Sequence, residues 1–102
     1  MQQQENQILS DIVQYIKQSN TPYKDWYIGI TENIQIRLFV EHAVNKNTDY
    51  WIYRKCSSAD EARRIEKYII MNYQADGGLG GGNDNSKFVY VYKKERHTKE
   101  SY

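Results

Sequence analysis

Between residues 7 and 19 the apolar positions Ile8, Ile12, Val13 and Ile16 recur at spacings of four and three. That is the stripe of an amphipathic helix. Asn20, Thr21 and Pro22 stop it, because proline cannot continue a helix and pushes the preceding residue toward extended backbone. The period then changes to two. Over residues 26–30, Trp26, Ile28 and Ile30 take one face of a strand, read as core, and Tyr27 and Gly29 the other. A second helix is predicted to start at Thr31 or Asn33, either of which can cap it, and to run to about Asn45 with Ile36, Phe39, Val40 and Ala43 as its buried stripe. After a polar turn at residues 45–49 a second strand covers residues 50–56. Ser58 followed by Glu61 is a capping box that opens a helix running to about Tyr73. Residues 76–85 hold all but one of the glycines and read as a loop, and residues 88–92 alternate rings with valines as a last strand. Beyond Lys93 the charged tail is expected to fray.

This order of elements describes one domain over residues 1–102, with an N-terminal helix over 1–20 and a tail over 93–102. The expected fold class is α+β: a small three-stranded antiparallel sheet flanked by about three helices. With 39% hydrophobic residues the chain can close one modest core. Ten tyrosines mean that much of the buried ring surface carries a hydroxyl in need of a partner. The one cysteine, Cys56, cannot form an internal disulfide, and the polar start Gln2, Gln3, Gln4 is unlike a signal peptide, so a cytoplasmic setting is expected. No apolar run approaches the roughly 18 residues of a membrane helix, so no membrane association is expected. A formal net charge of +1 confines any contact with a polyanion to a local patch.

The chemistry starts from Glu66. On the helix from Ala59 to Tyr73 it projects from the face that carries Ala62, Ile65, Ile69, Ile70 and Tyr73. A carboxylate on such a face costs several kcal/mol unless paired, hydrogen-bonded or metal-bound. A buried salt bridge is the plain explanation. Arg37, beside the apolar stripe of its own helix, either snorkels outward or reaches toward Glu66. Tyr27 shares its strand face with Gly29, whose missing side chain leaves room beside the phenol for a ligand. Alone, Tyr27 reads equally as a packed ring with its hydroxyl at the surface.

Taken in order, Tyr27, Ile28, Gly29, then Arg37, Leu38 and His42 resemble the second half of the GIY-YIG endonuclease motif, and Glu61, Ala62, Arg63, Arg64, Ile65 and Glu66 resemble the helix that bears that family's acidic residue. Asn83 or Asn85 matches the family's downstream asparagine. The resemblance implies a GIY-YIG-like fold acting on nucleic acid, DNA in the first instance, as a metal-dependent phosphodiesterase. In it Glu66 holds one divalent metal, Mg²⁺ or Mn²⁺, Arg37 balances charge on the phosphate, and a tyrosine positions or deprotonates the attacking water. Hard cations accept such oxygen ligands, and arginine presents planar donors to phosphate oxygens. Gly29, Asn83 and Asn85 are the implied nucleic-acid contacts. The family's first strand has no counterpart before Trp26, so residues 88–92 are assigned to its place, with Tyr90 or Tyr92 supplying its hydroxyl. The family's helical histidine lies four residues after the arginine, where Glu41 stands; His42 comes one later, rotated away in an α-helix. The alternative is a catalytically inactive module on the same scaffold that docks nucleic acid or protein through exposed tyrosines such as Tyr50, Tyr53 and Tyr90. The nuclease reading expects Tyr27, Arg37 and Glu66 around one shared hollow.

Overall fold

The structure, a computed structural model, describes residues 2–78 and 82–101. Helix α1 spans Gln2–Gln18 and buries Ile8, Ile12 and Ile16, three residues spaced by four. It begins earlier than the hydrophobic stripe does, and Glu5 in the added turn is held by Arg64 at 2.9 Å. Asn20, with φ 59°, turns the chain out of the helix, and the Thr21 hydroxyl accepts the Trp26 indole N–H at 2.9 Å. A short 3₁₀ turn, Tyr23–Asp25, then delivers strand β1, Trp26–Thr31.

A π-helix, Gln35–Glu41, follows, and after it come β2, Trp51–Lys55, α2, Ala59–Tyr73, β3, Asp76–Gly77, and β4, Phe88–Lys93. The strands make one sheet in the order β2-β4-β1-β3. β4 runs antiparallel between β1 and β2, and β3 runs parallel to β1. The sheet is therefore four-stranded and mixed, not three-stranded and antiparallel. The extra strand lies inside the glycine-rich stretch because glycine permits the approach: a Cβ on Gly77 would come within 2.7 Å of the Ile28 carbonyl oxygen. The assignment of residues 88–92 to a place beside β1 holds, with Tyr90 opposite Gly29 and Tyr92 opposite Tyr27.

Period-two alternation gives the sheet two different faces. Trp26, Ile28, Ile30, Val89 and Val91 meet Ile12 and Ile16 of α1 and Ala62, Ile65 and Ile69 of α2 in the larger core. Tyr90 and Tyr92, with Tyr27 beside them, pack on the other face against Ile34, Leu38 and Val44. α2 opens on the expected capping box, in which the Ser58 hydroxyl accepts the Glu61 N–H and the Glu61 carboxylate reaches back to the Ser57 N–H at 2.8 Å. It ends as expected at Tyr73, with Gln74 in the left-handed region. No helix among the described residues is long and apolar enough to cross a membrane.

Two expectations fail. In and around the second helix the buried side chains are Ile34, Leu38, His42 and Val44, with only Leu38 inside it, while Ile36 is 50% and Val40 71% exposed. Its turns are wider than α-helical, with the His42 N–H bonded to the Arg37 carbonyl, so the buried positions recur at a wider spacing than the predicted stripe assumed. It also stops at Glu41, not Asn45, because Ala43 takes φ 59° and sends Val44 back to the core. The tail does not fray. Lys94 donates its N–H to the Asp25 carbonyl and Lys99 its own to the His42 carbonyl, both at 2.8 Å, and Thr98 is buried.

Candidate functional site

The tyrosine face is organised around His42, whose ring is fully buried. Its Nδ1 lies 2.6 Å from the Lys99 carbonyl oxygen, which can only accept, so Nδ1 carries a proton. Burial, helped by the nearby positive charge of Arg37, holds the His42 pKa below its ordinary value, and the ring is neutral near pH 7. Nε2 is then an acceptor, and the Tyr90 hydroxyl donates to it at 2.7 Å. On the other side the Tyr92 hydroxyl donates to the Glu100 carboxylate at 2.8 Å, and its oxygen stands 3.1 Å from Nδ1. Burial and the Glu100 carboxylate both push the Tyr92 pKa up. A continuous chain of hydrogen bonds thus runs from Glu100 through Tyr92 and His42 to Tyr90.

The i→i+5 turn explains how His42 reaches this position. In an α-helix five residues advance about 500°, leaving position 42 about 140° away from position 37. The π turn brings them into successive turns of one side. Arg37 is ion-paired along its own helix to Glu41, with Nε 2.6 Å from Oε1, and does not reach across to Glu66. Gly29 is not an open space for a ligand. The Tyr90 ring occupies it, and a Cβ there would collide with the hydroxyl and come within 2.6 Å of Cζ. Tyr90, 1% exposed, is correspondingly no docking tyrosine; Tyr50 and Tyr53 are exposed as expected. Tyr27 is half-buried, its ring centroid 4.9 Å from that of His42 and 5.4 Å from that of Tyr92.

Glu66 lies on the opposite side of the sheet, on the helix that covers the aliphatic face. It is only 3% exposed, and its carboxylate has no hydrogen-bond or ion-pair partner among the described residues. The buried salt bridge of the plain reading is absent there. Burial pushes its pKa up to about 7, with the charge of Arg63 acting against the shift. Its flank of α2 can be located from neighbours one turn away. Arg63 approaches Asp84 at 3.8 Å, and the Ile70 Cδ1 stands 2.6 Å from where a Gly77 Cβ would be. The two ends of the glycine-rich stretch thus approach α2 at Arg63 and Ile70, one turn before and one turn after Glu66 in the helix. The same stretch touches the tyrosine face, since a Cβ on Gly78 would lie 3.3 Å from the Tyr27 hydroxyl. Tyr27 and Glu66 lie on opposite sides of the sheet, and the single hollow expected for Tyr27, Arg37 and Glu66 is not formed.

Asn83 shapes the end of that stretch. Its side-chain amide donates to Glu32 at 3.0 Å while its Oδ1 accepts the Asn85 N–H at 2.8 Å. Asn85 is exposed. Gly80 and Gly81 fall outside the described residues. No group of three or more His, Cys, Asp or Glu side chains gathers among the described residues. Cys56 is buried as expected, and burial raises its thiol to about 12. Sequence reasoning missed Glu100 and Lys99, whose signal, two charges in a terminal segment, is indistinguishable from that of a solvated tail. His97, which suggested nothing, pairs with Asp49 at 2.5 Å and helps fasten that tail. Against protein-family models, curated proteins and solved structures, the chain has no significant match.

Proposed function

We propose that the chain is a metal-dependent phosphodiesterase acting on nucleic acid, with its site along the glycine-rich edge of β1. The observation that carries this reading is Glu66: a carboxyl side chain only 3% exposed, with no hydrogen-bond or ion-pair partner among the described residues, which a fold retains at a cost of several kcal/mol unless something else uses it. One carboxylate fits Mg²⁺ or Mn²⁺, which keep most of their waters and complete their shell with substrate phosphate. Such a cation bound by Glu66 supplies Lewis-acid polarisation of the phosphodiester. Tyr27 and Arg37 lie on the other face of the sheet, with Arg37 paired to Glu41, and have no contact with that phosphate in this scheme. Tyr90 and His42 do not touch substrate either. They hold the wall against which Tyr27 stacks.

Labelled single- and double-stranded DNA incubated with the protein, with and without Mg²⁺ or Mn²⁺, tests the proposal. Cation-dependent cleavage is expected, reduced to background by Glu66→Gln while the circular dichroism spectrum stays unchanged. Equal cleavage by that variant removes Glu66 from the mechanism and the proposal with it.

A further inference from the structure

On the tyrosine face, β2 forms the edge opposite the glycine-rich one, and there the rings of Trp51 and Tyr53 stand almost parallel, at 5°, with centroids 6.4 Å apart. Phe39 closes on Trp51 and Phe88 on Tyr53, each edge-on, at 4.9 and 5.9 Å. A groove of about 290 Å³ runs over Phe39, Trp51, Tyr53 and Phe88, and Tyr53 is 42% exposed. From this geometry we infer that the groove is a stacking platform for the unpaired bases of single-stranded nucleic acid.

Three features select that occupant. The Trp51 and Tyr53 rings lie nearly parallel, at 5°, on one face of β2, an aromatic surface of the kind on which successive base faces stack. Two cations flank the rings, the Lys46 ammonium 5.5 Å from the Phe39 centroid and the Lys55 ammonium 6.0 Å from that of Phe88, while Glu32, whose carboxylate accepts from the Asn83 amide, adds one acidic group to the groove's lining. Aromatic rings beside a positive rim are what a flexible strand with exposed base faces and a phosphate backbone recognises. The platform lies on the same face of the sheet as the tyrosine cluster, because Tyr53 stands opposite Tyr90 in the register of β2 with β4. It accounts for nucleic-acid contact by a chain of net charge +1, since stacking supplies affinity that a weakly basic surface does not.

This inference rests on the reading of the chain as acting on nucleic acid, and it is tested without catalysis. A fluorescein-labelled oligothymidylate of about 12 nucleotides, within the usual footprint of such platforms, is titrated with protein in EDTA, beside a duplex of equal length. The single strand is expected to bind at least tenfold more tightly than the duplex and to quench tryptophan fluorescence through Trp51, since Trp26 is fully buried. Tyr53→Ala is expected to weaken single-strand binding about tenfold, with Tyr53→Phe restoring it. Lys55→Gln is expected to lower the slope of log affinity against log salt by about one. Equal binding of both probes, no binding, or affinity unchanged in Tyr53→Ala overturns the platform. So does Tyr53-dependent self-association in sedimentation that the oligonucleotide leaves untouched, because the groove then belongs to a second copy. Because the cation is withheld, a protein that binds but never cuts upholds the platform while the cleavage reading fails. A protein that cuts yet binds normally as Tyr53→Ala does the reverse.

Discussion

His42 on one face of the sheet and Glu66 on the other are both buried titratable side chains, and the two faces treat them in opposite ways. His42 sits among rings with both ring nitrogens hydrogen-bonded, to Tyr90 on one side and to Lys99 on the other. Glu66 sits beside aliphatic residues with no partner among the described residues. Burial shifts both toward neutrality, lowering His42 and raising Glu66. Only the histidine is compensated. A buried polar group whose bonds are all made fixes the positions of its neighbours, whereas one left without bonds weakens the fold and is the place to look for a ligand.

The largest stability effect should therefore come from the satisfied group. His42→Ala opens a cavity and deletes the hydrogen bonds that the ring makes with the Tyr90 hydroxyl and the Lys99 carbonyl, for an expected loss of about 3–5 kcal/mol. Urea unfolding measures it. A loss below about 1 kcal/mol would mean that the hydrogen-bond chain does not organise this face. Glu66→Gln, by contrast, removes a desolvated charge and is expected to leave stability at pH 8 unchanged or higher.

The next effect distinguishes the faces by the sign of their pH dependence. The folded pKa of Glu66, about 7, lies above its unfolded value of 4.5, so the folded state binds more protons between these values. Its contribution is fully present below pH 4.5 and is lost as pH rises through about 7, a swing on the order of 3 kcal/mol. His42 works the other way: with its folded pKa depressed below 6.5, its contribution is present above that pH and is lost as pH falls toward the folded value. Glu66→Gln should remove the loss of stability between pH 5 and 8, and added Mg²⁺ should oppose it in the unaltered protein by favouring the ionised carboxylate. A pH-stability profile identical in the two proteins would show that Glu66 titrates normally.

What the sequence makes legible follows from how local each signal is. α2 and its cap are written in adjacent residues, Ser58 and Glu61, and the alternation in residues 26–30 and 88–92 sorts core from tyrosine face correctly. Glu66 is legible as buried because α-helical periodicity is reliable on a long, capped helix. The π-helix is not legible, since the reading places residues 31–45 on a 100° wheel, which predicts burial for Ile36 and Val40 and turns His42 away. The role of Gly29 depends on a strand that arrives some sixty residues later, and only the register with Tyr90 reveals what fills its space. Lys99 and Glu100 act through the whole tertiary structure, so nothing in their local sequence marks them.

The smallest effect tests how the satisfied face is wired. Tyr92→Phe deletes a hydroxyl that donates to Glu100 and approaches His42 Nδ1, yet it orphans nothing: Nδ1 keeps the Lys99 carbonyl, and Glu100 keeps the Thr98 hydroxyl at 2.8 Å. The expected cost is about 1 kcal/mol, the net worth of one hydrogen bond. Tyr90→Phe removes the 2.7 Å bond to Nε2 of a fully buried ring, so it should cost more, up to about 3 kcal/mol. Parallel urea titrations of the two variants rank them. If Tyr92→Phe proves the costlier, the tautomer is reversed in effect, Glu100 rather than Tyr90 is the anchor of His42, and the chain of bonds is held from the tail inward instead of from the sheet outward.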